Sequence, residues 1–120
     1  MPLLRMLLAG ATLALTAAMG ADLTGKWEAS VDTSAGSGSP SFVFRQEGEK
    51  LTGDYSGALG TAKLAGSVKG AAVEFTFKAD AGGESVQVVY KGTVEADGKS
   101  MKGSVKLGSL AEGTFKATRQ

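Results

Sequence analysis

The chain has 120 residues, of which 18 are glycine and none is cysteine or histidine, and its formal net charge is +1. This composition excludes disulfides, the usual zinc and copper ligands, and the serine–histidine and cysteine nucleophiles. The near-balance of charge gives no basic footprint for nucleic acid or a membrane surface, and the length fits one domain.

The first 20 residues are expected to form a signal peptide. Met1 to Arg5 is a short basic region, Met6 to Met19 is an apolar run without charge, and Ala18-Met19-Gly20 offers small residues for cleavage after Gly20. The run is shorter than the roughly 20 residues of a membrane span. Cleavage would leave residues 21–120 as a single domain, secreted or periplasmic, with no stable membrane association. Loss of Arg5 would reduce the 13 basic residues to 12, equal to the 12 acidic ones.

From Leu23 to Val31 the alternation predicts a first strand with Trp27, Ala29 and Val31 on one face. The Gly- and Ser-rich segment 32–40, closed by Pro40, is expected to be a mobile loop. A second strand over Ser41 to Gln46 turns Phe42 and Phe44 inward, and a third over Lys50 to Ser56 does the same with Leu51 and Tyr55. Thr61 to Lys69 is the fourth, with Leu64 and Val68 inward, and Ala72 to Ala79 the fifth, with Val73, Phe75 and Phe77. A sixth, Glu84 to Ala96, carries Val86, Val88, Tyr90 and Val94. Asp97-Gly98 predicts a two-residue hairpin with positive φ at both positions. Lys99 to Leu107 and Ala111 to Arg119 complete eight strands.

One phrase recurs along these strands: an apolar residue, any residue, glycine, any residue, and a second apolar residue. It occupies Leu23–Trp27, Leu51–Tyr55, Leu64–Val68, Tyr90–Val94, Met101–Val105 and, more weakly, Ala111–Phe115. Residues two apart share a strand face, so each central glycine points inward with its apolar flanks. Glycine repeated at inward strand positions implies a tightly curled sheet, with Phe42, Phe44, Phe75 and Phe77 covering the space the glycines leave. The fold class is therefore all-β, an eight-stranded antiparallel up-and-down meander closed by pairing the first strand with the last. Loops 32–40, 57–60, 80–83 and 108–110 fall at one end, which is the expected mouth. The tight turns fall at the other.

Gly25-Lys26-Trp27 in the first strand, with Arg119 in the last able to lie against the indole, resembles the structural signature of the lipocalin, fatty-acid-binding and avidin superfamily of barrels, the calycins. Leu23-Thr24-Gly25-Lys26-Trp27 resembles the opening of avidin and streptavidin, Leu51-Thr52-Gly53-Asp54-Tyr55 the strand supplying a ligand-ring tyrosine, and Lys116-Ala117-Thr118-Arg119 a strand near the C-terminus. The resemblance implies a barrel with structural roles for Trp27 and Arg119. It does not carry biotin binding. Ala29 and the 31–33 region replace the polar ligand contacts, and Trp27 is the only tryptophan, so the boxing indoles are missing.

Two functions fit this barrel. The first is non-catalytic binding of a small apolar or amphipathic ligand at the long-loop end, lined by Phe42, Tyr55, Leu64, Phe77, Val86 and Val88, with the Tyr55 hydroxyl orienting it. The second is a packed barrel acting through its surface as a protein-interaction or inhibitor module. An internal cavity would favour the first and a filled interior the second. The carboxylates Glu28, Asp54, Glu74, Glu95 and Glu112 fall on outward positions, so no inward acid pair suggests hydrolysis. Neither a metal, a cofactor nor a catalytic residue is expected.

Overall fold

The computed structural model describes residues 22–81 and 83–120; the expected signal peptide lies outside them. Among these residues nine strands form one antiparallel sheet: β1 (Gly25–Thr33), β2 (Gly36–Gly38), β3 (Ser41–Glu47), β4 (Lys50–Gly57), β5 (Gly60–Lys69), β6 (Ala72–Ala81), β7 (Glu84–Val94), β8 (Ser100–Leu107) and β9 (Ala111–Arg119). β1 and β3 to β9 are neighbours in chain order, and β9 returns to β1 over seven residue pairs, from Trp27 opposite Arg119 to Thr33 opposite Gly113. The protein is an eight-stranded closed meander barrel.

β2 is the departure from the expected topology. Segment 32–40 is not a loop throughout, because β1 continues to Thr33 and Gly36–Gly38 folds back against Val31–Thr33. Thr33 makes the reversal: its hydroxyl accepts from the Ala35 amide at 3.1 Å and donates to the Gly36 carbonyl at 2.8 Å. Ser34 ties the same turn to β9 through its amide, which donates to the Glu112 carbonyl at 3.1 Å. β1 thus pairs with β3 as far as Glu28 and with β2 from Val31 onward.

The hairpin after β7 also differs from expectation. β7 ends at Val94, and the Glu95 carbonyl accepts from the Gly98 amide at 2.9 Å, while Asp97 caps the Lys99 amide at 2.8 Å. Gly98 has φ 69°, whereas no described non-glycine residue has positive φ, so Asp97 does not share that conformation. The side-chain cap replaces the expected mirror-image turn.

Inside and outside follow the alternation. Phe42, Phe44, Leu51, Leu64, Val68, Phe75, Phe77, Val88, Met101, Val105 and Phe115 are buried. The glycine positions explain the curl. A Cβ on Gly53 would lie 2.0 Å from the Val43 carbonyl oxygen, and one on Gly66, Gly103 or Gly113 would lie 1.9 Å from the carbonyl oxygens of Glu74, Lys91 and Asp32 respectively. Neighbouring backbone occupies the place of a side chain, which only glycine allows. Phe44 sits opposite Gly53 and Gly25, Phe75 opposite Gly66, and Phe115 opposite Gly103. Phe42 and Phe77 do not cover glycines as expected; they face Tyr55 and Val88 across their ladders.

Aromatic rings fill the centre. Phe42 stacks on Phe44 at 5.5 Å between centroids and meets Phe75 edge-on at 5.2 Å, while Phe75 stacks on Tyr90 at 4.9 Å and Tyr90 meets Phe115 at 5.0 Å. Each buried ring contributes about 1.5–3 kcal/mol by leaving water, and favourable ring pairs add about 0.5–1.5 kcal/mol. At the tight-turn end Trp27 is fully buried, its Nε1 donating to the Leu23 carbonyl at 3.0 Å. That end is shut.

Candidate functional site

At the long-loop end the barrel keeps an open space. Here β1 has left β3, and the β2 hairpin stands over the rim, so the wall splits where Pro40 leads into β3. Beneath the hairpin lies a cleft of about 180 Å³, with Val31, Leu59, Val88 and Leu107 among its apolar walls and the side chains of Tyr55 and Tyr90 reaching it from β4 and β7. Among the described residues no charged one lines it. Cavities of roughly 150 Å³ admit a benzene-sized molecule, so this one suits a single ring with a small substituent.

The sequence places the tyrosines. Alternation turns both inward, and the β4–β5 turn then fixes Tyr55, whose hydroxyl accepts a hydrogen bond from the Leu59 amide at 3.3 Å. Gly57 leaves the room for it, since a Cβ there would lie 2.7 Å from that oxygen. Tyr90 is equally buried, at 4% exposure, yet its hydroxyl has no hydrogen-bond partner among the described residues. Burial holds the Tyr90 phenol well above its ordinary pKa, and the neighbouring Tyr55 adds to the shift, so the group stays protonated.

Of the six residues expected to line a ligand site, Tyr55 and Val88 border this cleft. Phe42, Leu64 and Phe77 belong to the packed interior instead. Phe77 lies against the Tyr55 ring at 4.3 Å, and Leu64 pairs with Gly53, one inward position deeper than Ala62, which pairs with Tyr55. Val86 is half-buried and packs on the core near Gly108 at the rim. Alternation assigns a face but not a depth, so it could not separate floor from wall. Tyr90 and Leu107 were both legible as core-facing or strand-end residues; the part the sequence hid is the β2 hairpin, whose Gly-Ser-Gly composition carries no strand signal.

Trp27 and Arg119 meet as expected, at the end opposite the cleft. The Arg119 guanidinium carbon lies 5.1 Å from the indole centroid, and Nη1 donates to the Thr24 carbonyl at 2.8 Å. Nη2 donates to the Asp22 carbonyl. Two larger depressions, about 270 and 480 Å³, lie among outward side chains such as Lys69, Glu74 and Lys91, or Asp54 and Lys63. Both are bordered by charged side chains, which the described lining of the cleft lacks. No known protein family matches the chain, and no curated protein is significantly similar to it.

Proposed function

We propose that this barrel is a secreted or periplasmic, non-catalytic protein that binds a small apolar or amphipathic ligand in the cleft under the β2 hairpin. The closed meander is consistent with a calycin-like fold, and the Trp27–Arg119 contact supports grouping it with the lipocalin- and avidin-like barrels. The uncharged, mostly apolar cleft carries the binding reading: it sits at the mouth end and is of the right size for one ring. Native mass spectrometry of protein purified without detergent tests it. A mass adduct released on denaturation, or acquired from added one-ring hydrocarbons, is the expected result; bare polypeptide under both conditions counts against it.

A second reading rests on the filled interior. Among the described residues the ring cluster from Phe42 to Phe115 fills the centre beneath the cleft, which leaves little room there for a ligand of fatty-acid length. A packed barrel working through its surface as an interaction or inhibitor module fits that observation. Capture of a partner by protein that binds none of the small probes would favour it.

A further inference from the structure

A buried phenol without a partner is costly. Leaving a buried hydroxyl unpaired forfeits the hydrogen bonds it had with water, and native interiors nearly always supply a partner. Among the described residues Tyr90 is such a group: it is 4% exposed and its hydroxyl has no hydrogen-bond partner. Its ring is fixed by the core: it stacks on Phe75 and meets Phe42 and Phe115 edge-on, so the hydroxyl cannot swing elsewhere to find an acceptor. It reaches the same cleft as Tyr55, but the two hydroxyls differ in state. Tyr55 already accepts from the Leu59 amide and holds the β4–β5 turn, whereas neither the proton nor the lone pairs of Tyr90 have a partner among the described residues.

Resting on the ligand-binding reading above, we propose that Tyr90 is the polar contact of the cleft, and that its ligand is a compact uncharged molecule of about one ring presenting a carbonyl oxygen to the Tyr90 hydroxyl. A neutral phenol is a better donor than acceptor, so the complementary group is an acceptor. Among the described residues the cleft has no cationic side chain to receive a carboxylate and no anionic one to receive an amine, and a buried unpaired charge is expensive. A hydrocarbon alone would fill the walls and leave the hydroxyl unpaired. A ketone, lactone or cyclic amide satisfies both.

The test uses protein carrying ¹³C at the tyrosine Cζ, the carbon that bears the hydroxyl; the chain has two tyrosines, so Tyr55→Phe and Tyr90→Phe assign the two signals. Cyclohexanone, benzene and benzoate are the probes. Cyclohexanone is expected to shift the Tyr90 signal saturably, to bind about tenfold more weakly to Tyr90→Phe, and to leave benzene affinity the same in both proteins. Benzene binding with cyclohexanone bound equally well by Tyr90→Phe, or a shift at Tyr55 alone, would overturn the role of Tyr90 while keeping the cleft as an apolar site. Tighter binding of benzoate than of cyclohexanone would overturn the ligand class. Binding of no probe would overturn this proposal and the ligand-binding reading together.

Discussion

Arg119 and Trp27 are register partners across the seam that closes the barrel, and the guanidinium lies over the indole while it donates to the carbonyls of Thr24 and Asp22. One side chain thereby ties the last strand to the segment that precedes the first. Arg119→Ala removes the cation–π contact and two charge-assisted hydrogen bonds, and is expected to lower stability by about 1–2 kcal/mol in urea unfolding. Arg119→Lys should recover only part of this, because an ammonium cannot reproduce the planar fork that serves two carbonyls and the ring at once.

The inward glycines give a sharper test. Alanine at Gly53, Gly66, Gly103 or Gly113 would place a methyl group about 2 Å from a backbone carbonyl oxygen of the next strand. Each substitution is expected to cost about 3 kcal/mol or more, or to prevent folding. Gly38→Ala, in β2, meets nothing within 4 Å and has no positive φ. It should change the denaturation midpoint by less than the equivalent of about 0.5 kcal/mol.

Acid stability should depend on Asp54. Its carboxylate accepts from Lys63 Nζ at 2.7 Å and from Arg45 Nη2 at 3.1 Å. The Lys63 hydrogen bond, aided by the Lys63 and Arg45 charges, holds its pKa below the ordinary 3.8. Because the folded value is the lower one, the stabilisation is complete above the unfolded value and is lost as pH falls through the folded value. Asp22 behaves likewise, chiefly through the Thr24 amide. Melting temperature followed from pH 6 to pH 2 should fall less steeply for Asp54→Asn than for wild type, and the difference should shrink in high salt.

On the outer face Lys102 and Lys116 are directly opposed in the β8–β9 ladder. Like charges in that relation repel, so Lys116→Glu, which converts the pair to opposite charges, is expected to raise stability by about 0.2–1 kcal/mol. Chemical denaturation at low ionic strength measures it. The gain should diminish as salt is added, because both groups are exposed.

The barrel was legible because its constraints are periodic. Leu51, Gly53 and Tyr55, or Val73, Phe75 and Phe77, repeat every second residue, and such a pattern marks the buried face of each of the eight barrel strands, whose short connections imply the closure that brings Trp27 to Arg119. The site was legible only in part, because its position depends on depth along each strand. Tyr55 and Phe77 have the same parity, yet one reaches the cleft and the other packs beneath it. That distinction arises from ring-on-ring packing between distant strands, which no local pattern encodes. β2 escaped notice for a different reason: Gly36-Ser37-Gly38 is paired because Thr33 turns the chain back onto an existing edge, not because its own residues favour extension.

The closure by β9 also sets an order of events. Arg119 reaches Thr24 across 95 residues of chain, and until β9 is present β1 has an open edge along the seven positions of the seam. Hairpins β3 to β9 need only neighbouring strands, whereas the β1–β9 seam carries the largest loop-closure cost, which is characteristic of slow-folding topologies. Refolding is therefore expected to run through a curled but unclosed sheet, with the amides bonded across the β1–β9 seam the last to gain protection from hydrogen exchange. During that interval the edges of β1 and β9 are sticky, so dilute refolding should recover more barrel than concentrated refolding does.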